Sequence, residues 1–179
     1  PYHTTWRRTM AFILSQICGF VVFIAALLSM QLRNMKAILV CQLLCNGIGG
    51  ISYILLGGLS GCGIYLVAFL QSVVYFFFRY KQRKAPLSVG IAFIFLYLLC
   101  SASTYQSPVD LISAAAALTC AFSLIQEKPT FYRIFMVANG VIWMIYDLNV
   151  GAYTMIISHI ATAASAGIGI IRLDLKIKK

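Results

Sequence analysis

A chain of 179 residues that is 61% hydrophobic and only 10% charged, with mean hydropathy +0.91, lies far from soluble proteins, in which roughly a quarter of residues are charged. The composition excludes a water-soluble domain and implies an all-α polytopic protein whose first partner is the lipid bilayer. The formal charge of +10 does not point to nucleic acid, because the Lys and Arg fall between apolar runs, where they orient a chain in the membrane.

The first nine residues read as a leader. Arg7-Arg8 precede an apolar run that continues to Met30, long enough to span the bilayer and too long for a cleaved signal. Met10 is a plausible native start, and removal of an initiator Met ahead of Pro1 explains the opening equally well. Seven segments approach the length needed to cross about 30 Å of hydrocarbon. They fall near 11–30, 37–56, 61–78, 87–104, 109–125, 131–148 and 152–171. Their connections are short and rich in breakers: Gly57-Gly58, Gly61, Pro86, Ser107-Pro108, Pro129, Asn149 and Gly151. Ser107-Pro108-Val109-Asp110 has the form of a capping box with proline at the first helical position.

With seven spans, the loops alternate between two sides. One side receives Arg33, Lys36, Arg79, Lys81, Arg83, Lys84, Lys128, Arg133, Arg172, Lys176, Lys178 and Lys179; the other receives only Arg7 and Arg8. The asymmetry predicts an outer N-terminus and a cytoplasmic C-terminus.

Asn46-Gly47, Tyr53, Leu55, Gly58, Ile64, Ala68, Ser72 and Arg79 recur without a gap ninety-three positions later. The second set is Asn139-Gly140, Tyr146, Leu148, Gly151, Ile157, Ala161, Ser165 and Arg172. Three spans invert the chain and a fourth restores its sense, so the repeats run parallel in a 3+1+3 arrangement. The expected units are residues 10–80, a linker span within 81–106, residues 107–172 and a basic tail over 173–179.

Helical spacing puts Gln42, Asn46 and Tyr53 on roughly one face, and Asn139, Trp143 and Tyr146 on another. Each asparagine lies near the middle of its span, where an amide needs a partner. Two readings stay open: paired amides lining a cavity for a polar solute, or interhelical glue. Trp143 is matched by Gly50 in the first repeat, so a cavity there would have one aromatic wall. Gln71 is a further lining candidate. His159, flanked by Ser158 and Thr162, is either a proton-coupling group or a neutral donor to a neighbouring helix. Asp147 ends the sixth segment and reads as solvated on the outer side.

The six cysteines fall in or beside apolar segments without metal-ligand spacing, and read as reduced thiols. Four acidic residues leave no aspartate-rich metal motif, and neither HExxH nor GxSxG occurs. No enzyme, metal or cofactor is expected. The sequence leaves homo-oligomer formation open.

The run from Gly57 through Ser72-Val73-Val74-Tyr75, the segment Trp143-Met144-Ile145-Tyr146-Asp147, and the ending Gly167-Ile168-Gly169-Ile170-Ile171-Arg172-Leu173-Asp174 resemble the YgjV family of bacterial inner-membrane proteins. That family is similar, distantly, to the SWEET and PQ-loop proteins. The resemblance implies a seven-helix 3+1+3 fold in the inner membrane and no established substrate. The Pro-Gln hinge of the sugar transporters is absent here, and the asparagines sit on the second and sixth helices instead of the third and seventh. The expected function is a carrier for a small polar solute by alternating access between two three-helix bundles. The alternative is a non-transporting scaffold or receptor component.

Overall fold

The computed structural model describes residues 2–175, with side chains from 8 to 173; Lys176, Lys178 and Lys179 of the expected tail and the Arg7 side chain lie outside this range. Seven α-helices follow in order: α1 Tyr2–Gln31, α2 Met35–Leu56, α3 Leu59–Tyr80, α4 Leu87–Ser103, α5 Asp110–Ile125, α6 Pro129–Val150 and α7 Tyr153–Gly169. The last turn of α7 loosens into a π-helical extension, Ile170–Leu175. No strand occurs among the described residues.

The breakers act where the sequence places them. Gly57 and Gly151 close α2 and α6 in left-handed conformation, at φ 77° and 80°, which a residue with a Cβ adopts at a cost. These caps are ninety-four positions apart, one more than the side-chain recurrence, so Asp147 stands four residues before its cap as Tyr53 does before Gly57. Pro129 occupies the first turn of α6, and Asn34 caps α2 by accepting the Lys36 N–H at 2.9 Å. The Asp110 carboxylate accepts the backbone N–H groups of Gln106 and Ser107 at 2.9 and 2.8 Å, but α5 begins only at Asp110 and has no side-chain cap. The expected capping box with Pro108 as first helical residue thus gives way to a turn over Pro108 and Val109 held by that carboxylate.

Among the described residues four helices are long and apolar enough to cross a membrane: Arg8–Gln31, Met35–Leu56, Leu59–Tyr80 and Tyr153–Leu173. The apolar α4 and α5 have 17 and 16 residues, about 25 Å at 1.5 Å per residue. α6 matches α2 in length, but Arg133, Asn139 and Asp147 dilute its hydrophobicity.

The bundle is polar inside and apolar outside. Gln42, Asn46, Gln71, Ser72, Arg133, Asn139 and Asp147 are buried, while Phe12, Phe20, Leu28, Leu87, Phe95, Ile145 and Ile168 face outward. An apolar exterior this extensive needs lipid against it. α1 packs on α2 and α7, α2 on α3, α3 on α4 and α5, α4 on α5, and α6 on α5 and α7.

Polar contacts gather the helix ends into two groups. At one end Lys84 pairs with Glu127 at 3.0 Å, Arg172 donates to Gln31 Oε1 at 3.1 Å, and Lys36 lies over the Tyr80 ring. Arg133 belongs to this end but is no loop charge, contrary to expectation. Because α6 already starts at Pro129, Arg133 is fully buried and donates to the carbonyls of Met30 and Leu32 at 2.9 and 2.8 Å. Those carbonyls close α1 and have no intrahelical N–H to accept.

Candidate functional site

The two asparagines of the repeat lie on the buried faces of α2 and α6 and line one internal cavity of about 50 Å³. Gln42, Tyr65, Trp143, Ser158, His159 and Thr162 complete its polar and aromatic wall, with Val22, Ala26, Ile64 and Met136 among the apolar members. The volume admits a few water-sized groups.

Each amide also ties two helices together. Asn46 Nδ2 donates to Ser72 Oγ at 3.1 Å, joining α2 to α3. Asn139 Nδ2 donates to the Ala116 carbonyl at 2.6 Å and to Thr119 Oγ1 at 3.0 Å, joining α6 to α5. The bonds use the amino groups only. Among the described residues, neither amide oxygen accepts a hydrogen bond, and Gln42 and Ser158 make none through their side chains. Thr162 Oγ1 is likewise buried without a partner. Buried polar groups in folded proteins are mostly satisfied, so an underused set around one cavity marks a place for a polar guest.

One turn along α6 from Trp143 lies Asp147, which is fully buried. This corrects the expectation of a solvated residue. α6 runs on to Gly151, which sets Asp147 a turn inside the helix and facing its neighbours. Tyr53 donates its O–H to Asp147 Oδ1, and Oδ2 lies 3.3 Å from His159 Nε2. Neither Oδ2 nor Nε2 makes a directional hydrogen bond.

Tyr53 and Tyr146, equivalent in the repeat, have ring centroids 5.9 Å apart, and Tyr65 and Trp143 close the cluster. A hydrogen-bond chain leads from this cluster toward the α5 start. The Gly61 N–H donates to Tyr146 OH at 3.2 Å, and Tyr146 OH and Ser60 Oγ are 2.9 Å apart. Ser60 in turn donates to the Asp110 carboxylate, which commits its proton and makes Tyr146 the donor to Ser60.

The structure therefore brings Asn46, Asn139, Trp143, Gln42 and His159 together around the cavity. It places Tyr53 and Tyr146 in the adjoining aromatic cluster. Gln71 sits elsewhere: its Nε2 donates to the Ala121 carbonyl at 3.3 Å and its Oε1 accepts from Tyr97 at 3.0 Å, bridging α3, α4 and α5. Sequence reasoning missed Tyr65 and the site role of Asp147. Asp147 had a signal, since it lies four residues after Trp143 on the same helix flank. Tyr65 had none, because its matched position carries Ser158. Among the described residues no three His, Cys, Asp or Glu side chains gather as metal ligands.

The model of the Imp-YgjV family, described as bacterial inner membrane protein, matches residues 13–177. The chain belongs to that family. No curated protein and no solved structure matches it.

Proposed function

We propose that this member of a bacterial inner-membrane family carries a small polar solute, neutral or cationic, by rocking α1–α3 against α5–α7 with α4 as the linker. The observation that carries the reading is the cavity lined by Asn46 and Asn139, where the amide oxygens and the side chains of Gln42, Ser158 and Thr162 have no hydrogen-bond partner among the described residues. Among the described residues no Lys or Arg lines it, and the one base in its wall, His159, sits against the Asp147 carboxylate, so the wall carries no net positive charge to attract an anion.

The packing supports a two-fold relation between the halves. Under a repeat that pairs α1 with α5 and α3 with α7, the α1–α7 contact becomes the α5–α3 contact, and both occur. Each interface is latched near both ends. α1 and α7 are joined by Gln16 with Thr154 at one end and Gln31 with Ser165 at the other. α3 and α5 are joined by Ser60 with Asp110, and by Arg79 with the carbonyl of Gln126 just beyond α5. Opening toward one side would release one pair of latches and keep the other. The helix ends bearing Lys36, Lys84 and Lys128 face the cytoplasm in this reading, and slight bilayer thinning accommodates α4 and α5.

Proteoliposome uptake across a panel of small polar metabolites tests the proposal. Flux that Asn139→Leu abolishes is the expected result; folded protein that moves none of the panel would sink it.

A second reading, a membrane scaffold, is favoured by the amide bonds themselves, since Asn46 and Asn139 each join neighbouring helices. It expects a partner helix on the open face at Gly167, where no atom lies within 4 Å of an added Cβ. Loss of a co-purifying protein on enlarging Ala163 or Gly167, in a chain that moves none of the panel, would decide for it.

A further inference from the structure

We infer that the solute moves together with a proton, and that the Asp147–His159 pair is where the proton binds; this rests on the carrier reading above. Among the described residues this is the one place where an acid meets a base that lines the cavity. Asp147 is fully buried on α6, with Oδ1 held by Tyr53 and Oδ2 3.3 Å from His159 Nε2. His159 itself lines the cavity from α7, so its imidazole meets whatever enters.

The surroundings leave the charge of this pair to its own protonation. α2 presents Tyr53 and Cys45, α3 presents Tyr65, α5 presents Cys120, and α6 presents Tyr146. α1 contributes only Val22 and Ala26 to the wall. No Lys or Arg is among these groups. With His159 neutral, the carboxylate is a buried charge supported chiefly by one phenol, an expensive arrangement in a low-dielectric interior. A proton taken from the cavity onto the imidazole neutralises the pair. It leaves by the same nitrogen after the bundle has opened to the other side, and no other bond forms or breaks.

The recurrent Asn-Gly pair links the proton to the solute. Gly140 follows Asn139, and a Cβ built on it would lie 3.6 Å from His159 Nδ1. The imidazole packs over α6 at Gly140, the residue next in sequence to the amide that would hold the solute. Occupancy of one site thus changes the polarity felt at the other, which is the requirement for coupling.

Two measurements on the reconstituted full chain test the inference. Infrared difference spectra recorded across a pH titration should show imidazole and carboxylate bands that respond together. His159→Gln should remove the imidazole change, and Asp147→Asn the carboxylate change. In proteoliposomes, a solute found in the panel should accumulate up to about tenfold per unit of pH gradient at one proton per solute. His159→Gln should abolish that accumulation while its unfolding midpoint in mild detergent stays that of the parent, which shows that the variant is folded; gradient-driven accumulation retained in this variant would overturn the assignment. Accumulation that ignores the gradient, or bands that do not titrate, would overturn the coupling and leave the carrier standing. Absence of any flux overturns both.

Discussion

At the scale of single residues, the most consequential placement is a carboxylate inside a lipid-facing bundle. The Tyr53 hydroxyl is the directional donor to Asp147, so Tyr53→Phe removes one charge-assisted hydrogen bond and preserves the ring packing. We expect a loss of about 1.5–3 kcal/mol, read from the midpoint of denaturant unfolding in mild detergent. Arg133 offers the opposite sign of buried charge. Arg133→Met strands the carbonyls of Met30 and Leu32 and should cost about 3 kcal/mol, while Arg133→Lys should recover only part of it. A Met variant as stable as the parent would show that these carbonyls find other donors. Both residues were visible as polar letters in apolar sequence, yet both were read as surface charges. Their helix extends two residues earlier and two residues later than hydropathy suggests, because Pro129 and Gly151 end it and apolarity does not. A shift of that size moves a terminal charge one turn into the protein.

At the scale of helices, local chemistry was largely legible. Each helix makes its own backbone hydrogen bonds, so caps and breakers act through neighbours in sequence, and Asn34, Pro129, Gly57 and Gly151 behave as their types require. Gly151→Ala places a Cβ at φ 80° and should cost about 1–2 kcal/mol in unfolding free energy. Gly167→Ala, in open space within α7, should be neutral or gain up to about 1 kcal/mol from helix propensity. Equal effects at the two positions would contradict the cap assignment. The partners of the asparagines were not legible in the same way. Asn46 bonds α3, whereas Asn139 bonds α5, although the two are equivalent in the repeat. Thr119 supplies an acceptor where the first repeat has Ala26, and only the assembled bundle shows which neighbouring helix wins.

At the scale of the whole molecule, the recurrence and the latches make a claim about motion that single sites do not. If α1–α3 rock against α5–α7, the α1–α7 seam must open on one side during each cycle, and contacts inside one half must not. Gln16 and Thr154 span that seam, with Thr154 Oγ1 donating to Gln16 Oε1 at 3.0 Å. Ser52 and Ser15 join α2 to α1 within the first half at 3.0 Å. In a background cleared of the native cysteines, Gln16→Cys with Thr154→Cys should cross-link through a short bifunctional thiol reagent and lose at least about tenfold in flux, regained when a reducible linker is cleaved. Ser15→Cys with Ser52→Cys should cross-link and keep its flux, because both residues would travel together. Equal inhibition by the two bridges would mean that the chain flexes throughout, and flux through the bridged seam would mean that the halves do not part there. The comparison separates a rocking bundle from a solid one without naming the solute, since any panel compound that moves can report it.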